Sequence, residues 1–99
     1  MKILAITACP TGIAHTYMAA ECLERTGAKL GHQVKVETQG AMGVENAFTA
    51  EDLAGAEAVI LAADVPVLGR ERFAGIARIL EVPVQLAIRN PADLFARLL

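Results

Sequence analysis

Two short apolar runs constrain the fold of this chain most strongly. Residues 3–7 read ILAIT and residues 58–63 read AVILAA. Strands with two apolar faces are typical of parallel sheets that helices cover on both sides. The two runs therefore predict two central strands of an α/β fold.

The apolar spacing changes after the first run and becomes helical. Gly31 is a favourable helix stop, so the helix is predicted over residues 13–30. Its apolar face carries Ala19, Cys22, Leu23, Thr26 and Leu30.

Two further strands and two shorter helices are predicted in the rest of the chain. Residues 34–37 alternate between valines and charged residues, which predicts a strand whose wetter face carries Lys35 and Glu37. The other predicted elements are a loop at residues 38–43, a short helix after Thr49, a fourth strand at 79–82 and a last helix that starts at Asn90 and Pro91.

Alternating strands and helices in a chain of 99 residues predict one domain. We expect a three-layer α/β/α fold of the Rossmann or flavodoxin-like type, with a four-stranded parallel sheet in the order 2-1-3-4. The net charge of -2 and the absence of basic runs give no reason to expect nucleic acid as a partner. Two cysteines without a C-x-x-C pair predict a reducing, cytoplasmic compartment.

Cys9 lies where the first predicted strand turns into the first helix. Thiols at helix N-termini ionise more easily than ordinary cysteine thiols, and the free N–H groups of such a helix end bind anions. We therefore expect Cys9 to carry a phosphoryl group. The expected phosphate-binding residues are those that follow it: Pro10, Thr11, Gly12, Ile13, Ala14, His15 and Thr16.

The spacing within this loop separates two kinds of phosphate chemistry. Cysteine-dependent phosphatases use Cys-x5-Arg-Ser/Thr, whereas this chain has His15 in place of the arginine. Fewer fixed charges around the phosphate favour passing it on over hydrolysis. His15 either orders the loop or contacts the phosphate or its donor.

Other residues are assigned by their position along the chain. Gln39 and Asp64 end predicted strands, so they are expected near Cys9, although Asp64 is equally suited to capping a loop. Arg70 and Arg72 are either a solvated surface or a docking patch for a partner. Three further expectations are a packing role for Cys22, a solvated His32, and partner contacts through exposed Ile13 and Phe48.

These residues, taken together, closely resemble enzyme IIB of the fructose-specific phosphoenolpyruvate-dependent sugar phosphotransferase system. The resemblance is carried by Cys9 to Thr16 and by residues 18–21, 36–40, 43–46, 61–64 and 72–75. It spans nearly the whole chain. The chain departs from the family pattern after Gly75, where a lysine and a proline would be expected in the next strand.

The resemblance implies a phosphotransferase, with residues 1–99 as a single IIB domain. Cys9 would accept a phosphoryl group from a phosphohistidine of IIA and pass it to fructose, or a related sugar, bound by the membrane component IIC. It implies no metal and no cofactor, and a cytoplasmic location or one at the inner face of the membrane through IIC. Three alternatives remain: a small cysteine-dependent phosphatase, a non-catalytic regulatory or binding module of the same fold, and thiol redox chemistry, which lacks a nearby second cysteine.

Overall fold

A computed structural model describes residues 1–10 and 13–98, so Thr11, Gly12 and Leu99 lie outside the described residues. A 3-10 turn is present at Arg70–Phe73. The strands are β1 (Lys2–Ala8), β2 (Gln33–Gly40), β3 (Gly43–Glu45), β4 (Ala58–Ala63) and β5 (Arg78–Val82); the helices are α1 (Ile13–Lys29), α2 (Ala50–Gly55), α3 (Val84–Arg89) and α4 (Pro91–Leu98).

The described strands form one mixed sheet in the order β3-β2-β1-β4-β5. The predicted four-stranded, all-parallel sheet is wrong in strand number and therefore in order, because β3 pairs antiparallel with the end of β2. The other four strands are parallel to one another, with β1 between β2 and β4. The predicted α/β class is confirmed.

Side chains of β1 alternate between two apolar cores, one on each face of the sheet. Ile3 and Ala5 pack with residues of α1, α3 and α4. Leu4 and Ile6 pack on the other face with residues that include Phe73 of the 3-10 turn. Burying one such leucine or isoleucine stabilises the fold by about 1.5–3 kcal/mol. The central strand therefore needs apolar side chains on both of its faces from Ile3 to Ile6.

The end of α1 is fixed by its glycine, as predicted. Gly31 has a φ of 82°, and its N–H donates to the carbonyl of Ala28 at 3.1 Å. The N–H of His32 donates to the carbonyl of Gly27 at 2.9 Å. This pair of bonds is a Schellman motif, which satisfies the last carbonyls of the helix and turns the chain into β2.

Two predictions about local structure are wrong. Residues 38–43 were expected to be a loop, but β2 continues to Gly40 and β3 starts at Gly43, so the segment is a tight hairpin. The helix α3 was not predicted at all. Its spacing does carry a signal, because Val84, Ala87 and Ile88 are spaced i, i+3, i+4.

Three surface assignments are also wrong. Glu37 is completely buried, although the alternation of β2 placed it on the wetter face. Phe48 is 9% exposed and belongs to the second core, so it is unsuited to contacting a partner. His32 is half-buried and stacks on Phe95 with 5.6 Å between ring centroids.

Within the described part of the chain, no helix is long and apolar enough to cross a membrane.

Candidate functional site

Cys9 directly follows the central strand, at the carboxyl edge of the parallel sheet. It is 8% exposed, and it is present as a reduced thiol, as is Cys22. The backbone carbonyl of the preceding residue, Ala8, accepts a hydrogen bond from the N–H of Asp64 at 2.9 Å. The chain leaving β4 is therefore fixed beside the residue that carries the thiol.

The predicted phosphate loop leads from Cys9 into α1. The helix begins at Ile13, four residues after Cys9, so the thiol is close in sequence to the positive end of the helix dipole. Thr11, Gly12 and the side chain of Ile13 lie outside the described residues. Among the described residues of this loop, Pro10, Ala14 and His15 have exposed side chains.

Thr16 connects the start of α1 to the sheet. It is 1% exposed, and its backbone carbonyl accepts a hydrogen bond from the Thr7 hydroxyl at 3.0 Å. A Cβ placed on Gly40 would lie 3.7 Å from the Thr16 hydroxyl oxygen, so the end of β2 packs against this residue. Thr16 thus fastens the first turn of α1 to both β1 and β2.

A cavity of about 400 Å³ opens next to Cys9. It lies between the start of α1, the chain after β4, and α3. Residues of its lining include Cys9, His15, Met18, Asp64, Val84 and Arg89. Two basic side chains, one acidic side chain and the thiol therefore share one open space.

Asp64 has a defined structural role within this wall. Its Oδ1 accepts a hydrogen bond from the N–H of Val84, the first residue of α3, at 3.2 Å. The carboxylate thereby satisfies one of the free N–H groups at the start of that helix. Asp64 both lines the cavity and orients α3.

Gln39 uses its side-chain amide elsewhere. Its Nε2 donates to Glu37 at 2.8 Å and to the carbonyl of Leu68 at 3.0 Å. Its Oε1 accepts from the N–H of Leu68 at 2.8 Å. Gln39 lines a separate depression with Val65 and Leu68 rather than the Cys9 cavity. The two hydrogen bonds between Gln39 and Leu68 hold the segment after β4 against the end of β2.

The same network contains a buried ion pair. Arg72 donates two hydrogen bonds to the Glu37 carboxylate, both at 2.9 Å, and the N–H of Phe48 donates a third at 3.1 Å. Burial raises the pKa of Glu37, but the hydrogen bonds from Arg72, Gln39 and Phe48 outweigh it and leave the pKa below its ordinary 4.5.

The two arginines of the 3-10 turn therefore differ. Arg72 is a structural residue, whereas Arg70 is exposed and pairs with Glu81 on β5.

A second link joins α1 to the edge strand. The hydroxyl of Tyr17 donates to the carboxylate of Glu45 on β3. This hydrogen bond, with smaller contributions from desolvation and from the negative charge, raises the pKa of Tyr17. The β2–β3 hairpin is thus tied to the first turns of the helix that follows Cys9.

Sequence reasoning missed Arg89, which the structure places in the lining of the Cys9 cavity. The loop spacing indicated that an arginine was absent from the phosphate site, because position 15 is histidine. Arg89 lies 80 positions after Cys9 in the sequence, on a helix that was not predicted. The helical spacing of residues 84–88 was the available signal, but only the parallel order of β1, β4 and β5 brings α3 next to Cys9.

Comparison with known proteins gives a consistent result. Residues 4–97 match the family model described as "PTS system, Lactose/Cellobiose specific IIB subunit". The chain is 48% identical over 97 residues to the "PTS system fructose-like EIIB component 2" of Escherichia coli, which covers 98% of this chain and 91% of the relative. It is 53% identical over 97 residues to the "PTS system 2-O-alpha-mannosyl-D-glycerate-specific EIIABC component" of Escherichia coli, covering 98% of this chain but 15% of that longer protein.

A solved structure agrees with these sequence matches. A domain of a fructose-specific IIABC component from Borrelia burgdorferi superposes with a TM-score of 0.92 at 43% identity, covering 98% of this chain and 91% of that domain. Fold, sequence and family model coincide over almost every residue. The chain therefore belongs to the IIB family of the sugar phosphotransferase system.

Proposed function

We propose that this chain is a single IIB phosphotransferase domain over residues 1–99 and that Cys9 carries the phosphoryl group. One observation carries the proposal: Cys9 lies at the carboxyl edge of the sheet, just before α1, and lines an open cavity of about 400 Å³. Ligands of open α/β sheets bind at this edge. Family membership supports phosphoryl transfer as the chemistry at this thiol.

The transfer to Cys9 is a displacement at phosphorus. The sulfur of the deprotonated thiol attacks the phosphorus of a phosphohistidine on IIA, so that an S–P bond forms as the N–P bond breaks. The leaving imidazole nitrogen takes a proton in place of the one that the thiol has lost. Backbone N–H groups from Pro10 to Thr16, except the proline's, would surround the phosphoryl oxygens, and no metal or cofactor is required.

The second transfer regenerates the thiol. A hydroxyl oxygen of the sugar attacks the same phosphorus, an O–P bond forms, and the S–P bond breaks with Cys9 leaving as thiolate. The hydroxyl proton returns to the sulfur or to solvent. The acceptor in this proposal is fructose, or a related sugar, bound by the membrane component IIC.

The relatives' names support these partners. Several similar proteins are named as fused IIABC or IIBC components, in which IIA and IIC belong to the same polypeptide as IIB. We therefore propose a IIA protein or domain as donor and IIC as the membrane partner, with the IIB domain in the cytoplasm or at the inner face of the membrane. Relatives named for different substrates share about half of this sequence, so we assign the sugar only as fructose or a related compound.

The neighbouring side chains have supporting roles in this proposal. His15 lines the cavity, and in this proposal its imidazole faces the phosphoryl group or its donor. Asp64 orients α3, and Gln39 fixes the segment after β4. Thr16 holds the loop against the sheet through its carbonyl.

Phosphorylation by a donor tests the proposal directly. The protein is incubated with phosphoenolpyruvate, the general phosphotransferase components and a IIA protein, and its intact mass is measured. We expect the wild type to gain one phosphoryl group and Cys9→Ser to gain none. Cys22→Ser is the matched control, because Cys22 is the other thiol and lies half-buried on α1; it should be phosphorylated like the wild type.

Two results would contradict the proposal. One is an unchanged mass of the wild type while IIA itself becomes phosphorylated. The other is steady release of inorganic phosphate from an aryl phosphate that depends on Cys9, which would instead indicate a phosphatase.

A further inference from the structure

We propose that Arg89 binds the phosphoryl group on Cys9 and so supplies the guanidinium that the loop itself lacks. This inference rests on the proposed function, because it needs a phosphorylated Cys9. Its starting observation is that Arg89 and Cys9 line the same cavity, although they are 80 positions apart in the chain.

The position of Arg89 is fixed by the helix that carries it. Two side chains of α3, Val84 and Ala87, are 2% and 0% exposed and anchor the helix in the main core. The hydrogen bond from the Val84 N–H to Asp64 holds its beginning, and that from the Asn90 N–H to the Leu86 carbonyl, 2.9 Å, closes its end. The backbone of Arg89 is therefore well held while its side chain is exposed.

The charge of Arg89 is not used by a carboxylate within residues 1–10 and 13–98. Four of the chain's other arginines have an acidic partner there: Arg25, Arg70, Arg72 and Arg97. Arg78 and Arg89 have no such ion pair in the same part of the chain, and Arg78 lies at the opposite, amino end of β5. Arg89 is thus the arginine at the Cys9 cavity whose guanidinium can take an anion without giving up an existing ion pair.

The other charges around the cavity make a cation useful there. Asp64 lines the same space with a carboxylate, which repels a phosphoryl dianion. His15 lines it too, but an imidazole carries a full charge only when protonated. A guanidinium is charged at any ordinary pH and matches phosphate oxygens with two parallel N–H groups. Arg89 offsets Asp64 and neutralises part of the charge that arrives on Cys9.

The consequence is a shift in where the phosphoryl group resides. Binding by Arg89 stabilises phosphocysteine relative to the phosphohistidine of the donor. A hydrogen bond to a charged group changes an equilibrium by about tenfold or more, and we take about tenfold for an exposed arginine. Arg89→Gln should lower the equilibrium ratio of phosphorylated to unphosphorylated Cys9 about tenfold at a fixed IIA phosphorylation level, and Arg89→Lys should restore part of it.

The first experiment measures this ratio by intact mass for the wild type, Arg89→Gln and Arg89→Lys. Arg78→Gln removes the same charge at the far end of the sheet and should leave the ratio unchanged. The difference between wild type and Arg89→Gln should shrink at high salt, which a purely structural effect would not do. Far-UV circular dichroism verifies that each variant is folded.

The second experiment needs no donor and uses inorganic phosphate as the probe. Phosphate in the cavity should slow the alkylation of Cys9 by iodoacetamide. The rate is measured by mass spectrometry of the peptide that contains Cys9. Arg89→Gln should need about tenfold more phosphate for the same protection, and Arg78→Gln should match the wild type.

The outcomes separate the two proposals. Wild type that gains no phosphoryl group refutes the proposed function. Wild type and Arg89→Gln that are phosphorylated to the same ratio, and protected equally by phosphate, refute the role of Arg89 and leave the function of Cys9 intact.

Discussion

The ion pair between Arg72 and Glu37 leads to an unequal prediction for its two partners. Arg72→Met keeps most of the side-chain stem but removes the guanidinium, which leaves the Glu37 carboxylate buried with 0% exposure. Breaking a buried ion pair by removing one partner costs about 3–5 kcal/mol. Because Glu37 keeps its hydrogen bonds from Gln39 and Phe48, we expect the lower end, about 3 kcal/mol.

The reverse change should cost less. The Arg72 side chain is 25% exposed, so in Glu37→Gln the guanidinium can still reach water. It also keeps its contacts over the rings of Phe48 and Phe73, at 5.5 and 5.2 Å from the ring centroids. We expect a loss of about 1.5–2 kcal/mol, the low end of the range for hydrogen bonds to charged groups.

Lowering the pH should change the stability of the wild type and that of Arg72→Met in opposite directions. In the wild type the pKa of Glu37 is lowered from 4.5, so its contribution to stability is fully present above that pH and is lost as pH falls through the lower folded value. In Arg72→Met the main opposing contact is gone, and burial should raise the pKa of Glu37. The stability defect of this variant should therefore shrink as pH falls from ~7 to ~5, because the neutral acid is cheaper to bury.

Urea unfolding followed by far-UV circular dichroism measures both effects. The free energies of unfolding of the wild type, Arg72→Met, Glu37→Gln and the double variant are compared at pH ~7 and ~5. The double variant should lose less than the sum of the single losses. A loss in Glu37→Gln as large as that in Arg72→Met, or a defect in Arg72→Met that does not change with pH, would refute the reasoning.

The remaining predictions concern α1 and α2. Gly27→Ala should destabilise the fold by about 1 kcal/mol or more in urea, because the new Cβ collides with a valine of β2 and overpacking outweighs the gain in helix propensity. Gly75→Ala, which meets nothing within 4 Å, is the control and should be nearly neutral. Thr49→Ala should cost about 1 kcal/mol in thermal unfolding by removing the N-cap of α2, whereas Thr49→Ser should not. A hydrogen bond from Lys35 lowers the pKa of Asp52 to about 2, so Asp52→Asn should lower the Tm above pH 3.8 and lose its effect as pH falls through about 2.

Local sequence signals predicted the elements that local physics determines. The apolar runs gave β1 and β4, and the capping residues gave the beginning of α2 and the stop at Gly31. The hairpin that adds β3 was missed because its two glycines were interpreted as a loop. Strand β3 has three residues, too few for an alternating pattern to be visible.

Long-range contacts explain the errors about individual side chains. Glu37 was placed in solvent by the alternation of its strand, but it is buried because Arg72, 35 positions later, reaches it with two hydrogen bonds. His32 was expected in solvent and instead stacks on Phe95 of α4. Arg89 was missed at the site for the same reason: each contact depends on the order of strands and helices, which local sequence patterns do not reveal.

The two edges of the sheet have a consequence for self-association. An exposed edge strand offers unpaired N–H and C=O groups to another chain. Here one edge is β3, which has only three residues and begins at Gly43 with a φ of 85°. It therefore offers little extended backbone with which another strand could pair. The other edge, β5, carries Arg78 and Glu81, and Arg70 is paired to Glu81 from outside. Both edges therefore resist the addition of a further strand, which protects a sheet rich in apolar residues from aggregation at high local concentration.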